Sequence, residues 1–230
     1  MISVLTDFEE RVNEIELYFD HLNLILNKDA ELFFPNNKTR QRKRIEPELH
    51  KVLKANCFLL LYNLSESSMR QALTEIFEKI SEKELEYSMV KDEIKKIWIS
   101  SNYKNFKDIG IDKIFDAITV YIFADIINIQ FEEKSDLSGA VDGQKIREFA
   151  TKLGFSSTVH YSLKEGRKLH QVKVQRNKLA HGNISFAKCG RDYTIEELNL
   201  TKTQVIGYLR RILTNIKVYL ENENFKVIDL

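Results

Sequence analysis

No glycine precedes Gly110 anywhere in the chain, and between Pro47 and Gly110 there is no further proline. These are the two residue types least tolerated inside a helix, by about 1 and about 3 kcal/mol relative to alanine. A stretch this long without either predicts long helices, and long helices must bury their apolar faces against one another. The only other proline, Pro35, stands with Asn36 and Asn37 in a segment over about 28–46 that reads as a loop.

Apolar spacing places the elements. Leu5, Phe8, Val12, Ile15, Tyr18, Leu22 and Ile25 recur every three or four residues and predict a helix over about 3–27. Pro47 suits a first helical turn, so a second helix is expected from Pro47 to about Ile80. Its centre, Phe58 to Leu61, is apolar on all sides, as in a helix surrounded by others. Ser81-Glu82-Lys83-Glu84 has the capping-box pattern and predicts a new helical segment. A further helix is expected from Ser88 to about Asn102, and residues 112–130 are apolar enough to be buried. Residues 132–143 read as a polar connection, after which Asp142 caps a helix that Gly154 ends. Helices over about 162–180 and 201–222 complete the pattern, with residues 183–195 between them expected to be non-helical. The expected architecture is all-α: a single domain over residues 1–230, a helical bundle with a small loop or hairpin after the helix that ends at Ala180.

Composition removes several classes of function. With 43% apolar and 30% charged residues, the chain reads as an ordinary globular protein. Asp7, Glu9 and Glu10 interrupt any signal-like start, and the Ala117–Phe131 stretch contains Asp125 and is too short to span a bilayer. A cytoplasmic protein without membrane contact is expected. Cys57 and Cys189 have no partners at metal-ligand spacing, and the five histidines form neither an i, i+4 pair nor an H-E-x-x-H pattern. Neither a disulfide framework, a metal nor any other cofactor is expected.

The segment with chemical content is Arg176-Asn177-Lys178-Leu179-Ala180-His181-Gly182. Arginine is a permanent planar cation that grips a phosphate through two hydrogen bonds, and histidine exchanges protons near neutral pH. Together they are a minimal kit for cutting RNA without a metal. The bland reading is a helix end with a cationic last turn and Gly182 after it. Between His160 and His181, Lys164, Arg167, Lys168, Lys173, Arg176 and Lys178 face the single acid Glu165, although the whole chain carries only +1. Such a local cationic island favours a polyanion, or else is a solvated face paired with acids elsewhere in the fold. Lys38, Arg40, Arg42, Lys43 and Arg44 form a second basic run, which reads as a solvated loop or an RNA-backbone contact. Glu66 lies four residues before Arg70, fit for an intrahelical ion pair, or alternatively to orient Arg176 from a neighbouring helix.

Residues five apart on an α-helix point about 140° away from each other. Arg176 and His181 therefore share a phosphate only if the helix ends near Ala180 and His181 swings back. RNA supplies its own nucleophile, the 2′-OH, but cleavage needs a base, an acid and a cation for the phosphorane. One histidine per chain leaves one proton-transfer role open, which two copies facing each other across a two-fold axis would fill.

On the segment Arg176 to Gly182 the chain resembles the HEPN superfamily (higher eukaryotes and prokaryotes nucleotide-binding domain), whose members share a helical bundle and an R-x(4–6)-H motif. Lys54 to Leu64 followed by Glu66 and Arg70, Asp142 to Glu148, and Ser185-Phe186 extend the similarity to the MAE-type HEPN-like nucleases. The resemblance implies a metal-independent endoribonuclease acting at a composite dimer site and leaving 2′,3′-cyclic phosphate ends. It implies a role in toxin–antitoxin, anti-phage or related conflict systems, in which an antitoxin or ATPase partner is one expectation. Arg176 and His181 carry over as catalytic residues and Asn177 as the polar helper; beside that resemblance, Lys178 and Glu66 are read from the chain itself as supporting residues. Two other readings stay open: a non-catalytic RNA- or nucleotide-binding module that regulates a partner protein, and a helical interaction subunit with no nucleic-acid role.

Overall fold

The computed structural model describes residues 1–26, 30–35, 41–102, 127, 129 and 141–227. Helix α1 (Ile2–Ile25) turns Phe8, Val12, Ile15 and Leu22 inward as anticipated, but Val4 and Phe19 complete the buried face, while Leu5, Tyr18 and Ile25 sit at its partly exposed edge. Helix α2 (Pro47–Glu82) starts on its proline and runs without a break, as a stretch lacking helix breakers should. It is the axis of the fold, packing against α1, the motif helix and the two elements that follow that helix. Phe58, Leu61, Tyr62, Leu64, Met69 and Leu73 are all essentially inaccessible. Its buried Ser65 and Ser68 return their hydroxyls to the carbonyls of Leu61 and Leu64, so neither is left unsatisfied.

Helices α3 (Asp92–Asn102) and α4 (Gly143–Leu153) pack together. The Asp142 carboxylate accepts from the Lys145 amide at 3.0 Å and caps α4, and Gly154 closes it in the left-handed conformation, both as expected. Helix α5 (Arg167–Ala180) carries the motif. It is followed by the six-residue α6 (Phe186–Arg191) and by α7 (Ile195–Glu221), which opens on a reciprocal capping box between Thr194 and Glu197. Most of residues 112–130 and 132–143 lie outside the described residues. Ile127 and Ile129 are buried.

The all-α bundle stands, with six local corrections. Residues 28–46 are not simply a loop: β1 (Glu31–Phe34) and β2 (Gln41–Arg44) form an antiparallel hairpin with Phe33 opposite Arg42. Ser81–Glu84 opens no helix. α2 continues through it to Glu82, and the Ser81 hydroxyl donates to the Ile129 carbonyl at 3.0 Å. The next helix starts at Asp92 rather than Ser88, behind a 3-10 turn at Tyr87–Met89.

The motif helix begins at Arg167, not Ser162, because Lys164, Glu165 and Gly166 take left-handed angles (φ 46, 53 and 76°) that no right-handed helix accommodates. Residues 183–195 are largely helical rather than extended. Ser185 caps α6 by accepting from the Lys188 amide, and Gly190 lets it lie directly on α2. A Cβ at Gly190 would sit 1.8 Å from the Lys51 carbonyl oxygen, so the approach requires glycine. The last helix consequently starts at Ile195, six residues earlier than its apolar spacing suggested.

Candidate active site

Helix α5 is held by Leu169, Val172 and Leu179, all buried, which leaves its polar residues on the remaining faces. Arg176 is half-buried. Its Cζ lies 4.2 Å from the centroid of the Tyr62 ring on α2. Its Nη2 is 3.9 Å from Glu66 Oε2, and its Nη1 donates to Asn177 Oδ1 at 3.1 Å. A partly desolvated guanidinium on a tyrosine face contributes about 1–2 kcal/mol. A long, partly exposed ion pair such as Arg176–Glu66 contributes about 0–1 kcal/mol. Tyr62 therefore does most of the positioning and Glu66 assists. Glu66 also faces Arg70 at 4.0 Å, so it lies within ion-pair distance of both guanidiniums.

Tyr62 is wholly buried. Burial first, then the Glu66 charge, push its phenol above the ordinary tyrosine range. Beside it stands Asp142, buried at the start of α4, which takes a contact from Lys173 and one from His170 Nδ1 at 3.2 Å, both on α5. Burial alone would raise the Asp142 carboxyl. The hydrogen bonds from Lys173, the Lys145 amide and His170 outweigh it and hold the group below its usual range. Asp142 thus fastens α5 to α4 while capping α4.

The helix ends in a Schellman turn: the Gly182 amide bonds the Leu179 carbonyl at 3.1 Å and the Asn183 amide bonds that of Lys178 at 2.9 Å. Gly182 supplies the required positive φ of 70°. His181 precedes the reversal. Its own amide still bonds the Asn177 carbonyl at 3.0 Å, so it occupies a helical position and does not swing back toward Arg176. Its side chain leaves the axis about 140° from that of Arg176. The imidazole is exposed and has no hydrogen-bond partner among the described residues.

Asn177 bridges that angle. It lies four residues before His181, on the same helix face, and its amide oxygen is gripped by Arg176. His170, Lys173, Asn177 and His181 form one polar stripe along α5, and Lys178 is exposed beside it.

The arrangement brings together Arg176, Asn177 and Glu66 and leaves His181 facing solvent. Sequence reasoning missed Tyr62 and the Asp142–Lys173–His170 cluster. The i, i+3, i+7, i+11 spacing of His170, Lys173, Asn177 and His181 was the available signal for the stripe. Nothing in the sequence ties Tyr62 to Arg176. Among the described residues, no three His, Cys, Asp or Glu side chains converge as a metal site requires. A groove between α1 and α2, lined by Asp7, Arg70 and Glu75, contains none of the motif residues. No helix among the described residues is long and apolar enough to cross a membrane.

Comparison with known proteins gives one finding of substance. The family model described as HEPN_MAE_28990-like HEPN matches residues 3–225, nearly the whole chain. No curated protein and no solved structure matches it.

Proposed function

Because the chain belongs to the HEPN_MAE_28990-like HEPN family, whose domains are nucleases or RNA-binding modules, we propose that it is a metal-independent endoribonuclease. The observation that carries this reading is the Arg176–Asn177–His181 arrangement: a guanidinium held on Tyr62, an amide that links it to the opposite helix face, and an exposed imidazole on that face. A base removes the proton of the 2′-OH, whose oxygen attacks the adjacent phosphorus. The bond from phosphorus to the 5′-oxygen then breaks, an acid protonates that oxygen, and a 2′,3′-cyclic phosphate remains. Arg176 offsets the charge of the phosphorane, Asn177 positions Arg176, and Lys178 holds flanking phosphate.

His181 of one copy supplies the base. Its helical position, turned from Arg176 of the same chain, supports a site completed by a second copy, whose His181 supplies the acid. The protein would then act as a homodimer, as one HEPN-like domain per chain. A place in a toxin–antitoxin or anti-phage system, with an antitoxin or ATPase partner in the cytoplasm, is part of the same reading.

The test is incubation of wild-type, Arg176→Ala and His181→Ala protein with total RNA in excess EDTA, followed by analysis of product ends. Cleavage by the wild type alone, leaving cyclic phosphates, is expected. Salt-sensitive RNA binding without cleavage by any of the three would assign a non-catalytic binding module instead.

A further inference from the structure

The β1–β2 hairpin buries none of its strand residues against the bundle. All eight of its strand residues are exposed, including Leu32, Phe33 and Phe34. A two-stranded hairpin without a packed face is marginal in water, so an arm of this kind gains its stability and its use from whatever covers it.

The register identifies the chemistry of that cover. On one face Phe33 stands opposite Arg42, with Arg44 two residues further along. On the other, Leu32 stands opposite Lys43, diagonal to Phe34. Each face thus sets an exposed ring beside a cation. Between Glu31 and Arg44 the sequence has five cations and one acid, in a chain whose total charge is +1. Arg42 and Arg44 each lie 3.8 Å from the Glu31 carboxylate and Lys43 lies 3.7 Å from that of Glu46, yet the three cationic side chains remain 72%, 89% and 66% exposed. A protein-docking face would carry an apolar centre depleted of charge. Rings interleaved with cations suit bases that stack and phosphates that pair.

We propose that the hairpin is an arm that binds single-stranded RNA, stacking bases on Phe33 and Phe34 and pairing phosphates with Arg42, Lys43 and Arg44. This rests on the nuclease reading and names where the substrate extends beyond the motif. The arm is rooted at the right end of the molecule. Arg176 lies on Tyr62 and Glu66, whereas Gly190, just past the motif, packs on Lys51 beside the arm's root at Pro47. Past the motif the chain therefore runs along α2 toward the arm's root, and the α2 segment from Glu66 to Lys51 covers about 22 Å.

The test uses full-length His181→Ala protein in EDTA, with a fluorescein-labelled single-stranded RNA of mixed sequence, read by anisotropy over a salt series. In that background Phe33→Ala/Phe34→Ala is expected to weaken binding about ten-fold or more. Arg42→Gln/Lys43→Gln/Arg44→Gln is expected to flatten the slope of log affinity against log salt by about 2. Neither set should alter the helical circular dichroism or the oligomeric state. Unchanged affinity and slope in both sets would overturn the arm while leaving the nuclease reading intact. Loss of the dimer with RNA affinity retained would overturn it in favour of a protein contact. Failure of the background protein to bind RNA at all would overturn both proposals together.

Discussion

Arg176 lies over the ring of Tyr62, its Cζ 4.2 Å from the centroid, although the two residues are on different helices and far apart in sequence. The contact fixes the motif's guanidinium to the long central helix α2. The same tyrosine stands beside Asp142, whose partners Lys173 and His170 lie one and two turns before Arg176 on α5. The motif helix is thereby positioned by α2 on one side and by the start of α4 on the other.

If the ring positions Arg176, the hydroxyl is dispensable and the aromatic face is not. Tyr62→Phe is expected to cleave RNA at close to the wild-type rate. Tyr62→Leu should lose about ten-fold or more, in line with a partly desolvated cation–π contact. Glu66→Gln should cost no more than about five-fold, as its ion pair is long and partly exposed. Single-turnover cleavage rates check the order, and a larger loss in Glu66→Gln than in Tyr62→Leu would reverse the assignment.

His181→Ala is expected to abolish cleavage while leaving folding stability within about 0.5 kcal/mol of wild type, since the side chain is exposed. Urea denaturation together with the RNA assay reads both quantities on one preparation. Cleavage at the wild-type rate would remove His181 from the chemistry.

Asp142 makes stability depend on pH with a definite sign. Its carboxyl is held below the ordinary value of 3.8, so its contribution is fully present above that value and is lost as pH falls through the lower folded-state pKa. Asp142→Asn leaves Lys173 without its acceptor charge and should cost about 1–3 kcal/mol at neutral pH. The gap between wild type and variant should close below about pH 4. A gap that stays constant from neutral to acid pH in denaturant titrations would show that the charge contributes nothing.

Two glycines should respond differently to alanine. At Gly190 the added methyl would collide with the Lys51 backbone, so α6 must lift off α2, at a cost of about 3 kcal/mol or more. At Gly182 no atom lies within 4 Å of the added carbon, and only the left-handed backbone angle resists it, at about 1–2 kcal/mol. Gly182→Ala should therefore fold but reshape the turn after His181, lowering cleavage more than its stability loss explains. Thermal unfolding and cleavage rates measured side by side distinguish the two. Equal stability losses would refute the packing argument.

The sequence by itself determined the bundle. The glycine- and proline-free stretch specified α2, three-to-four apolar spacing specified α1 and the body of α7, and Asp142 with Gly154 bounded α4, because these signals act within a few residues of the chain. The motif and the helix end at Gly182 were legible for the same reason.

Tertiary structure decided what local pattern leaves undetermined. The strands Glu-Leu-Phe-Phe and Gln-Arg-Lys-Arg show no alternation, so only their pairing makes them strands. The six-residue α6 is too short to hold by propensity and exists where Gly190 meets Lys51. Ser81 carries a capping signal that α2 overrides by continuing, its hydroxyl going instead to Ile129. The seating of Arg176 on Tyr62, and of Lys173 and His170 on Asp142, joins residues from three separate elements. Such contacts form only when the helices pack, and no spacing within one segment encodes them.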